Sequence, residues 1–283
     1  MNYNFVQLDP RPNAQNPAFD FGVEVTMKMP QGIPNLDHHR PGDTAETPSA
    51  CEQALTCGLP LEGCTLATVR PDADSVTAMA VLESRMTSRT VNADLVKAIS
   101  MMDRFGPRVE GDLPYKDMVI AIARRSADFK VSLAERVAFV QACLDGTADM
   151  GLVFKLVAER DAEFTAAEKA SEVLEIVPGK LVFVQSTHRF ATNLGYRHAT
   201  TVVAFNPEMA VLVDGKPSGE TYRKYTICRY DSNVATDMTG ALAELQAFEA
   251  GWGGRGDIFG SPQNVSSTLT PEQVTEIVAK YIQ

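Results

Sequence analysis

The stretch that decides the fold is "GCTLATVRPDADSVTAMAVLESRM", residues 63–86. Its first seven residues form a compact run of apolar and β-branched side chains, which is typical of a buried strand. Asp and Ser residues follow at the point where a strand ends and a helix begins, and Val76, Met79, Ala80 and Leu82 then repeat with a helical period. The stretch therefore predicts a strand that leads directly into a buried helix, which is a building unit of α/β folds.

Strand and helix signals alternate along the rest of the chain, so the predicted class is α/β with two domains. The segment "FGVEVTMKM" (21–29) alternates apolar and polar residues and predicts a half-buried strand with Glu24 on its polar side. The apolar segment beginning at Tyr115 fits a helix or a strand. We expect a larger, helix-rich domain with a parallel sheet, a smaller mixed α/β domain and a connecting helix, at residues 1–165, 176–283 and 151–175 respectively.

The overall charge and composition limit the classes of partner. With 45% hydrophobic residues and a formal net charge of −10, the chain has the composition of a globular protein whose surface repels nucleic-acid backbones. A long duplex nucleic acid is therefore not expected as a partner. A small anionic substrate stays compatible if a metal supplies local positive charge. A homodimer is left open.

The location of the protein is predicted from its cysteines and its apolar runs. The five cysteines form no CxxC pair, which argues against a disulfide framework and indicates a reducing compartment. No apolar run approaches the roughly 20 residues needed to span a bilayer, and the N-terminal stretch lacks the basic and apolar regions of a signal peptide. We expect a cytoplasmic protein without a membrane partner.

Two carboxylates follow the strand in the deciding stretch. Asp72 and Asp74 stand at i and i+2, at the carboxyl end of the predicted strand, where ligands bind in open α/β sheets. Carboxylate oxygens suit hard divalent cations such as Mn²⁺ and Mg²⁺. The alternative is that Asp74 or Ser75 only caps the next helix.

Two further segments offer metal-ligand chemistry. In "LDHH" (36–39), His38 and His39 supply imidazole nitrogens, and Asp37 can orient one of the rings; the alternative is a solvated turn. In the predicted helix at 91–106, Asp103 lies among apolar residues, where a carboxylate is costly to bury unless it is paired or bound to a metal. The alternative there is an exposed carboxylate beside Arg104.

The segment "GWGGRGDIFGSPQNVSSTL" (251–269) contains five glycines within ten residues. Glycines such as Gly253 and Gly254 let backbone N–H groups approach an anion closely, and Arg255 can bind phosphate or carboxylate in a bidentate manner. Together with Ser261, these residues are candidates for substrate binding. The alternative is a cluster of β-turns. His188 is expected in a surface or capping role, although it could reach a phosphate.

Taken together, these motifs resemble the DHH phosphoesterase superfamily. "RPDADSVTAMAVL" is similar to the first motif of that family, a His-x-x-Pro-Asp-x-Asp sequence followed by a helix with small residues. "LDHHRPG" with "SACEQAL" is similar to the Asp-His-His signature, and "SMMDRFG" to a further metal-binding aspartate. "GWGGRGDIFGSP" resembles the glycine-rich loop of the C-terminal substrate domain, known as DHHA1.

The resemblance implies a metal-dependent phosphoesterase that hydrolyses a small phosphorylated substrate, such as a nucleotide or a short oligonucleotide. It implies one or two Mn²⁺ or Mg²⁺ ions, with Asp37 and His39 in catalytic roles and a cleft between the two domains as the active site. The implied metal ligands are His38, Asp72, Asp74 and Asp103.

Three departures from the family motifs leave alternatives open. The Asp-His-His segment precedes the Asp72 motif here, so either the first domain is permuted or the match is coincidental. Thr68 stands where the family often has a histidine ligand. Arg255 and Asp257 stand where it often has His-Pro. The alternatives are a non-catalytic protein of the same fold that binds a nucleotide or another anion, and a metal-assisted hydrolase of a non-phosphate substrate.

Overall fold

The structure is a computed structural model that describes residues 2–11, 13–40, 43, 46–213, 216–230, 236–254 and 256–283. The chain divides into two compact units, Met1–Arg160 and Asp161–Gln283. The first is rich in helices around a parallel sheet and the second has a mixed sheet, so the predicted two-part α/β class is confirmed.

The first unit contains a four-stranded parallel sheet with the strand order β1-β4-β2-β3. Because all four strands run in one direction, their carboxyl ends meet at a single edge of the sheet. The strands are β1 (Asn4–Gln7), β2 (Phe21–Val23), β3 (Asn35–Leu36) and β4 (Thr65–Thr68). The helices are α1 (Ala50–Gln53), α2 (Ala73–Met86), α3 (Ala93–Phe105), α4 (Lys116–Ser126), α5 (Leu133–Asp145) and α6 (Met150–Lys169), with a 3-10 helix over Gly106–Asp112.

Helix α2 forms the centre of this unit. It is buried on nearly every side from Asp74 to Ser84, as expected for a helix with small and apolar residues all round. Its first turn is a capping box, in which the Asp72 side chain accepts from the backbone N–H of Ser75 at 3.0 Å. The helix therefore begins directly after the short turn that follows β4, as the deciding stretch predicts.

The second unit has a six-stranded sheet with the order β5-β6-β7-β8-β10-β9, in which only β6 and β7 pair in parallel among the described strands. One face packs against α8 and α9, and the other face packs against α7. The elements are β5 (Ser171–Val177), β6 (Leu181–Ser186), α7 (Ala191–Tyr196), β7 (Thr201–Val213), β8 (Lys216–Arg229), α8 (Met238–Phe248), β9 (Gly253–Gly254), β10 (Ile258–Gly260) and α9 (Pro271–Lys280).

Two segments differ from the sequence-based predictions, and a third settles an alternative that the sequence leaves open. The strand predicted over 21–29 ends at Val23, because Glu24 adopts a left-handed conformation with φ of 52° that breaks the alternation. The segment that begins near Tyr115 is helical. The helix predicted over 151–175 ends at Lys169, and Ser171–Val177 instead form β5, where β-branched residues pair with β6.

Among the described residues, no single helix is both long and apolar enough to cross a bilayer. Helices α5 and α6, bent by 111°, satisfy that criterion only as a pair, by length and composition.

Candidate functional site

The candidate site lies at the carboxyl ends of β2, β3 and β4, where turns place polar side chains at one edge of the parallel sheet. Glu24 directly follows β2, His38 follows β3 by two residues, and Asp74 lies in the first turn of α2 after β4. Helix α3 adds Asp103 from its last turn. This is the edge at which open α/β sheets bind ligands.

The His38 imidazole is the centre of this arrangement. Its Nε2 atom lies 3.0 Å from Asp103 Oδ2, 3.3 Å from Glu24 Oε1 and 3.7 Å from Asp74 Oδ2, and the side chain is only 9% exposed. Although these oxygens are close, Nε2 makes no hydrogen bond of acceptable geometry with any residue that the structure describes. A buried ring nitrogen that faces several carboxylate oxygens without a hydrogen bond fits a metal ligand better than a satisfied core histidine.

Two overlapping sets of side chains among the described residues bring their ligand atoms within 4.8 Å of one another. One set is His38, Asp74 and Asp103, and the other is Glu24, His38 and His39. Three of these residues supply carboxylate oxygens, which suit hard divalent cations, and two supply imidazole nitrogens, which suit transition metals. The donor set therefore fits a divalent cation.

Asp74 holds the beginning of α1 as well as facing His38. Its Oδ1 atom accepts from Ser49 Oγ at 2.6 Å and from the Cys51 N–H at 2.8 Å, and its Oδ2 atom accepts from the Ala50 N–H at 2.7 Å. These bonds fix the carboxylate in one orientation. Asp74 therefore both holds the first turn of α1 and belongs to the His38 ligand set.

Asp72 has a different environment from Asp74. Its Oδ1 atom accepts from Ser75 at both the backbone N–H and the hydroxyl, so it is the N-cap of α2. Its charge also lies close enough to raise the pKa of Glu24. Asp72 does not belong to either ligand set among the described residues.

Glu24 is the site residue that sequence analysis misses. Alternation places it on the solvent side of a strand, whereas the residue is only 6% exposed and its carboxylate reaches both histidines. The left-handed backbone at this position is rare for a residue with a side chain, and such conformations cluster at functional sites. The signal in the sequence is its position, because Glu24 is an acidic residue that directly follows a short apolar strand.

The neighbouring pair Asp37 and His39 lies at the exposed side of the site. Asp37 Oδ1 accepts from the His39 N–H at 3.0 Å and lies 3.2 Å from His39 Nδ1. The His39 side chain is 53% exposed, and the two histidine rings are tilted with centroids 4.2 Å apart. Asp37 therefore orients the His39 ring through its Nδ1 side.

The electrostatics of the cluster reflect four carboxylates near one another, those of Glu24, Asp72, Asp74 and Asp103. Burial, followed by the charges of Asp72, Asp74 and Asp103, raises the pKa of Glu24 well above its ordinary value. Burial raises the pKa of Asp103 to about 6, even though His38 opposes the shift. Burial alone would lower the pKa of His38, but the nearby carboxylates, Asp103 first, raise it overall. A cation among these groups would relieve the repulsion.

The glycine-rich segment of the second unit forms the hairpin of β9 and β10. Gly254 pairs with Phe259, and a Cβ at Gly254 would collide with the backbone of β10, so the close approach of these strands requires glycine. A Cβ at Gly253 would meet nothing within 4 Å. Ser261 is buried, with its Oγ accepting from the Tyr225 N–H at 3.0 Å. Arg255 lies outside the described residues.

His188 lies in the turn that follows β6. Its Nδ1 atom accepts from the Phe190 N–H at 3.2 Å, and its own N–H donates to Ser186 Oγ at 3.0 Å. These bonds give it a local capping role, which leaves its Nε2 atom uncommitted.

The chain matches no family model and no curated protein. Among solved structures it is similar to a pGpG-specific phosphodiesterase from Vibrio cholerae, with 12% sequence identity, a TM-score of 0.46 and coverage of 92% of this chain and 83% of that chain. It is also similar to the DHH domain of a protein described as belonging to a family of ribosomal proteins, with 12% identity and a TM-score of 0.40 over 73% of this chain and 53% of that one. At this identity the similarities concern the fold alone.

Proposed function

We propose that the protein is a divalent-metal-dependent phosphoesterase acting on a small phosphorylated substrate, such as a nucleotide or a short oligonucleotide. The observation that carries this proposal is the convergence of carboxylate oxygens of Asp103, Glu24 and Asp74 on the buried His38 Nε2 atom, at 3.0, 3.3 and 3.7 Å. The sequence resemblance to DHH phosphoesterases points to the same chemistry from the motifs.

In this proposal, His38, Asp74 and Asp103 would hold a Mn²⁺ or Mg²⁺ ion, and Glu24 would complete the ligands. A divalent cation there would supply Lewis-acid activation of water and of the phosphate oxygens. Asp72 keeps the first turn of α2 in place and adds negative charge beside Glu24. Glu24 takes the part that the histidine at the position of Thr68 has in the family motif.

His39 is the residue that moves a proton. Because Nδ1 lies on Asp37, a neutral His39 ring would carry its proton on Nδ1 and present Nε2 as a proton acceptor. The half-exposed Nε2 can then take a proton from the attacking water or, once protonated, give one to the leaving oxygen. Asp37 is the positioning residue for that ring.

The charge of the chain favours small substrates over long ones. With a formal net charge of −10, the protein repels an extended phosphate backbone, and only a local cation makes a short phosphorylated molecule attractive. In the second unit, Gly253 has open space over its α-carbon and is a candidate for substrate binding, together with Gly254, Arg255 and Ser261.

The test compares Asp103→Asn with Asp94→Asn, a charge-matched control on the exposed side of the same helix. Binding of Mn²⁺ and Mg²⁺ is measured by calorimetry, and turnover is measured on a phosphodiester, a phosphomonoester and a short dinucleotide. We expect EDTA and Asp103→Asn each to reduce turnover by about 100-fold or more, as the loss of a catalytic metal requires, while Asp94→Asn behaves as the wild type.

Turnover that survives in EDTA would overturn the proposal, as would wild-type turnover by Asp103→Asn. Stoichiometric metal binding without turnover on any phosphate ester would favour the non-catalytic alternative. Turnover of a carboxylic ester or amide alone would favour the non-phosphate hydrolase.

A further inference from the structure

A polar cavity lies within the second unit, where β5 begins and β6 ends. Its volume is about 300 Å³, at the lower end of the cavities that hold small molecules in proteins. Its lining consists of residues 169–172, 185–187 and 207, all of which belong to the second unit. Because β6 runs parallel to β7, the cavity lies at the carboxyl end of this parallel pair, where α/β folds bind ligands.

Two opposite charges line this cavity without pairing with each other. Lys169 is the last residue of α6, Glu172 is the second residue of β5, and both are exposed. In the part of the chain that the structure describes, neither the ammonium group nor the carboxylate forms an ion pair or a side-chain hydrogen bond. A ligand with one positive and one negative group can bridge these side chains, whereas a simple anion or a simple cation is repelled by one of them.

The two serine hydroxyls of the cavity act as hydrogen-bond acceptors. Ser171 Oγ donates to the Ala167 carbonyl at 2.6 Å and lies 2.7 Å from Ser186 Oγ. Since each hydroxyl carries one proton, Ser186 supplies the proton between the two oxygens. Ser186 Oγ also accepts from the His188 N–H at 3.0 Å. Both protons are therefore used inside the wall, and the remaining lone pairs suit a donor such as an ammonium group.

The C-terminus of α6 favours a positive group in the cavity as well. A helix carries partial negative charge at this end, and α6 ends at Lys169, next to the lining residues Ala170 and Ser171. At the end of β6, the side chains of Gln185 and Thr187 make no hydrogen bond with any described residue. Both can donate to a carboxylate, as the Lys169 ammonium group can. Acceptors for an ammonium group and donors for a carboxylate thus line the same cavity.

We propose that this cavity binds a free α-amino acid. The ammonium group of the ligand lies against Glu172 and the serine oxygens, and its carboxylate lies against Lys169 and Thr187. An α-amino acid carries both charged groups on one carbon atom, so a single small molecule bridges the two unpaired side chains. The volume of the cavity favours a small side chain, which would contact Ala170. The proposal does not rest on the proposed function, because the ligand is not a phosphate ester.

The first experiment changes the ligand and keeps the wild-type chain. Binding of glycine, L-alanine and L-valine is measured in EDTA by saturation-transfer NMR and calorimetry, beside L-alaninamide, which lacks the carboxylate, and N-acetyl-L-alanine, which lacks the ammonium group. We expect the amino acids to bind at millimolar concentration, and each derivative to bind more weakly by about fivefold or more, as the loss of one exposed ion pair predicts. The proposal is overturned if none of the three amino acids binds, or if either derivative binds as well as L-alanine.

The second experiment assigns each charge of the ligand to a side chain. Lys169→Gln should abolish the preference for L-alanine over its amide and keep the preference over the N-acetyl derivative, and Glu172→Gln should do the reverse. The controls Lys155→Gln on α6 and Glu220→Gln on β8 each remove an exposed charge outside the cavity, and should keep both preferences. Wild-type preferences in both cavity variants would show that the amino acid binds elsewhere and would overturn the proposal.

Competition with inorganic phosphate separates an amino-acid site from a general anion site. Because the Glu172 carboxylate repels an anion, phosphate should not displace L-alanine at equal concentration. Displacement by phosphate would overturn the proposal. All these measurements are made without a divalent cation, so a failure to bind amino acids leaves the proposed phosphoesterase function intact, and a loss of that function leaves this proposal intact.

Discussion

His38 Nε2 and Asp103 Oδ2 lie 3.0 Å apart, although one side chain follows β3 and the other comes from the last turn of α3. In the sequence, each residue is a ligand candidate with a non-metal alternative, which is a solvated turn for His38 and an exposed carboxylate for Asp103. The contact exists because α3 packs in the core of the first unit through Leu95, Val96 and Ile99, which places its polar last turn at the carboxyl edge of the sheet. Core packing therefore decides the geometry of the site.

The first prediction concerns Glu24. Its Oε1 atom lies 3.3 Å from His38 Nε2, so Glu24→Gln removes a negatively charged ligand, and we expect the affinity for Mn²⁺ to fall by about tenfold or more. The metal-free variant should be at least as stable as the wild type, because a buried charge among like charges has been removed. Calorimetric titration and urea unfolding measure the two effects.

The matched control for Glu24 is Glu172→Gln, an exposed carboxylate on β5. Glu172→Gln should change neither the affinity for Mn²⁺ nor the stability of the metal-free protein. A purely structural role for Glu24 would give the opposite signature, namely lower stability of the metal-free variant with unchanged metal affinity.

The sequence reveals the candidate residues whose positions depend on local chemistry. Asp72 and Asp74 are identifiable because a buried strand followed by a capped helix leaves them at a sheet edge, although only Asp74 faces His38. Glu24 is not, because alternation reports only which side of a strand a residue faces. Its burial depends on a left-handed backbone that tertiary packing imposes.

The end of α6 is a second feature that the sequence alone does not predict. Apolar and charged residues continue beyond Lys169 without a glycine or proline, so nothing local ends the helix. The chain leaves the helix because pairing with β6 stabilises Val173 and its neighbours in a strand. Such long-range pairing overrides helix propensity, and a single sequence does not record it.

The second prediction is a pH dependence of the metal-free protein. Burial raises the pKa of Asp103 to about 6, so the folded state keeps a proton that the unfolded state has lost, and stability should fall as pH rises from 5 to 7. The raised pKa values of Glu24 and His38 act in the same direction. In urea unfolding with EDTA, Asp103→Asn should remove about 1 kcal/mol of this decline. A variant with the same slope as the wild type would contradict the assignment.

The third prediction separates the two roles of Asp74. Ser49→Ala removes the 2.6 Å hydrogen bond to Asp74 Oδ1 but no proposed ligand. We expect a loss of about 1–2 kcal/mol in unfolding free energy and a fall of about tenfold in Mn²⁺ affinity, because the ligand is no longer held in one orientation. Urea unfolding and calorimetry measure these quantities.

Ser132→Ala is the control for Ser49→Ala, because Ser132 is the N-cap of α5 and accepts from the Glu135 N–H. It should reduce stability by about 1 kcal/mol and leave metal affinity unchanged. Equal losses of metal affinity in the two variants would mean that the effect follows global stability and not the orientation of Asp74.

The fourth prediction concerns the support of the glycine hairpin in the second unit. Glu249 accepts hydrogen bonds from Trp252 Nε1 at 2.8 Å, from Ser267 Oγ at 2.8 Å and from the Thr268 N–H at 2.6 Å. Trp252 directly precedes Gly253, so this carboxylate anchors the start of β9. Burial opposes ionisation, but these donors, Thr268 first, lower the pKa of Glu249 overall.

Because the pKa of Glu249 is lowered by folding, its stabilising effect is present above the unfolded value of about 4.3 and is lost as pH falls through the folded value. Glu249→Gln should therefore cost about 1–2 kcal/mol at pH 7 and less near pH 4. Trp252 is the only tryptophan in the chain, so its fluorescence should shift towards that of a solvated indole in the variant. The exposed control Glu276→Gln should leave both signals unchanged, and a stability loss in Glu249→Gln that is equal at both pH values would show that the charge of Glu249 is not what holds the hairpin.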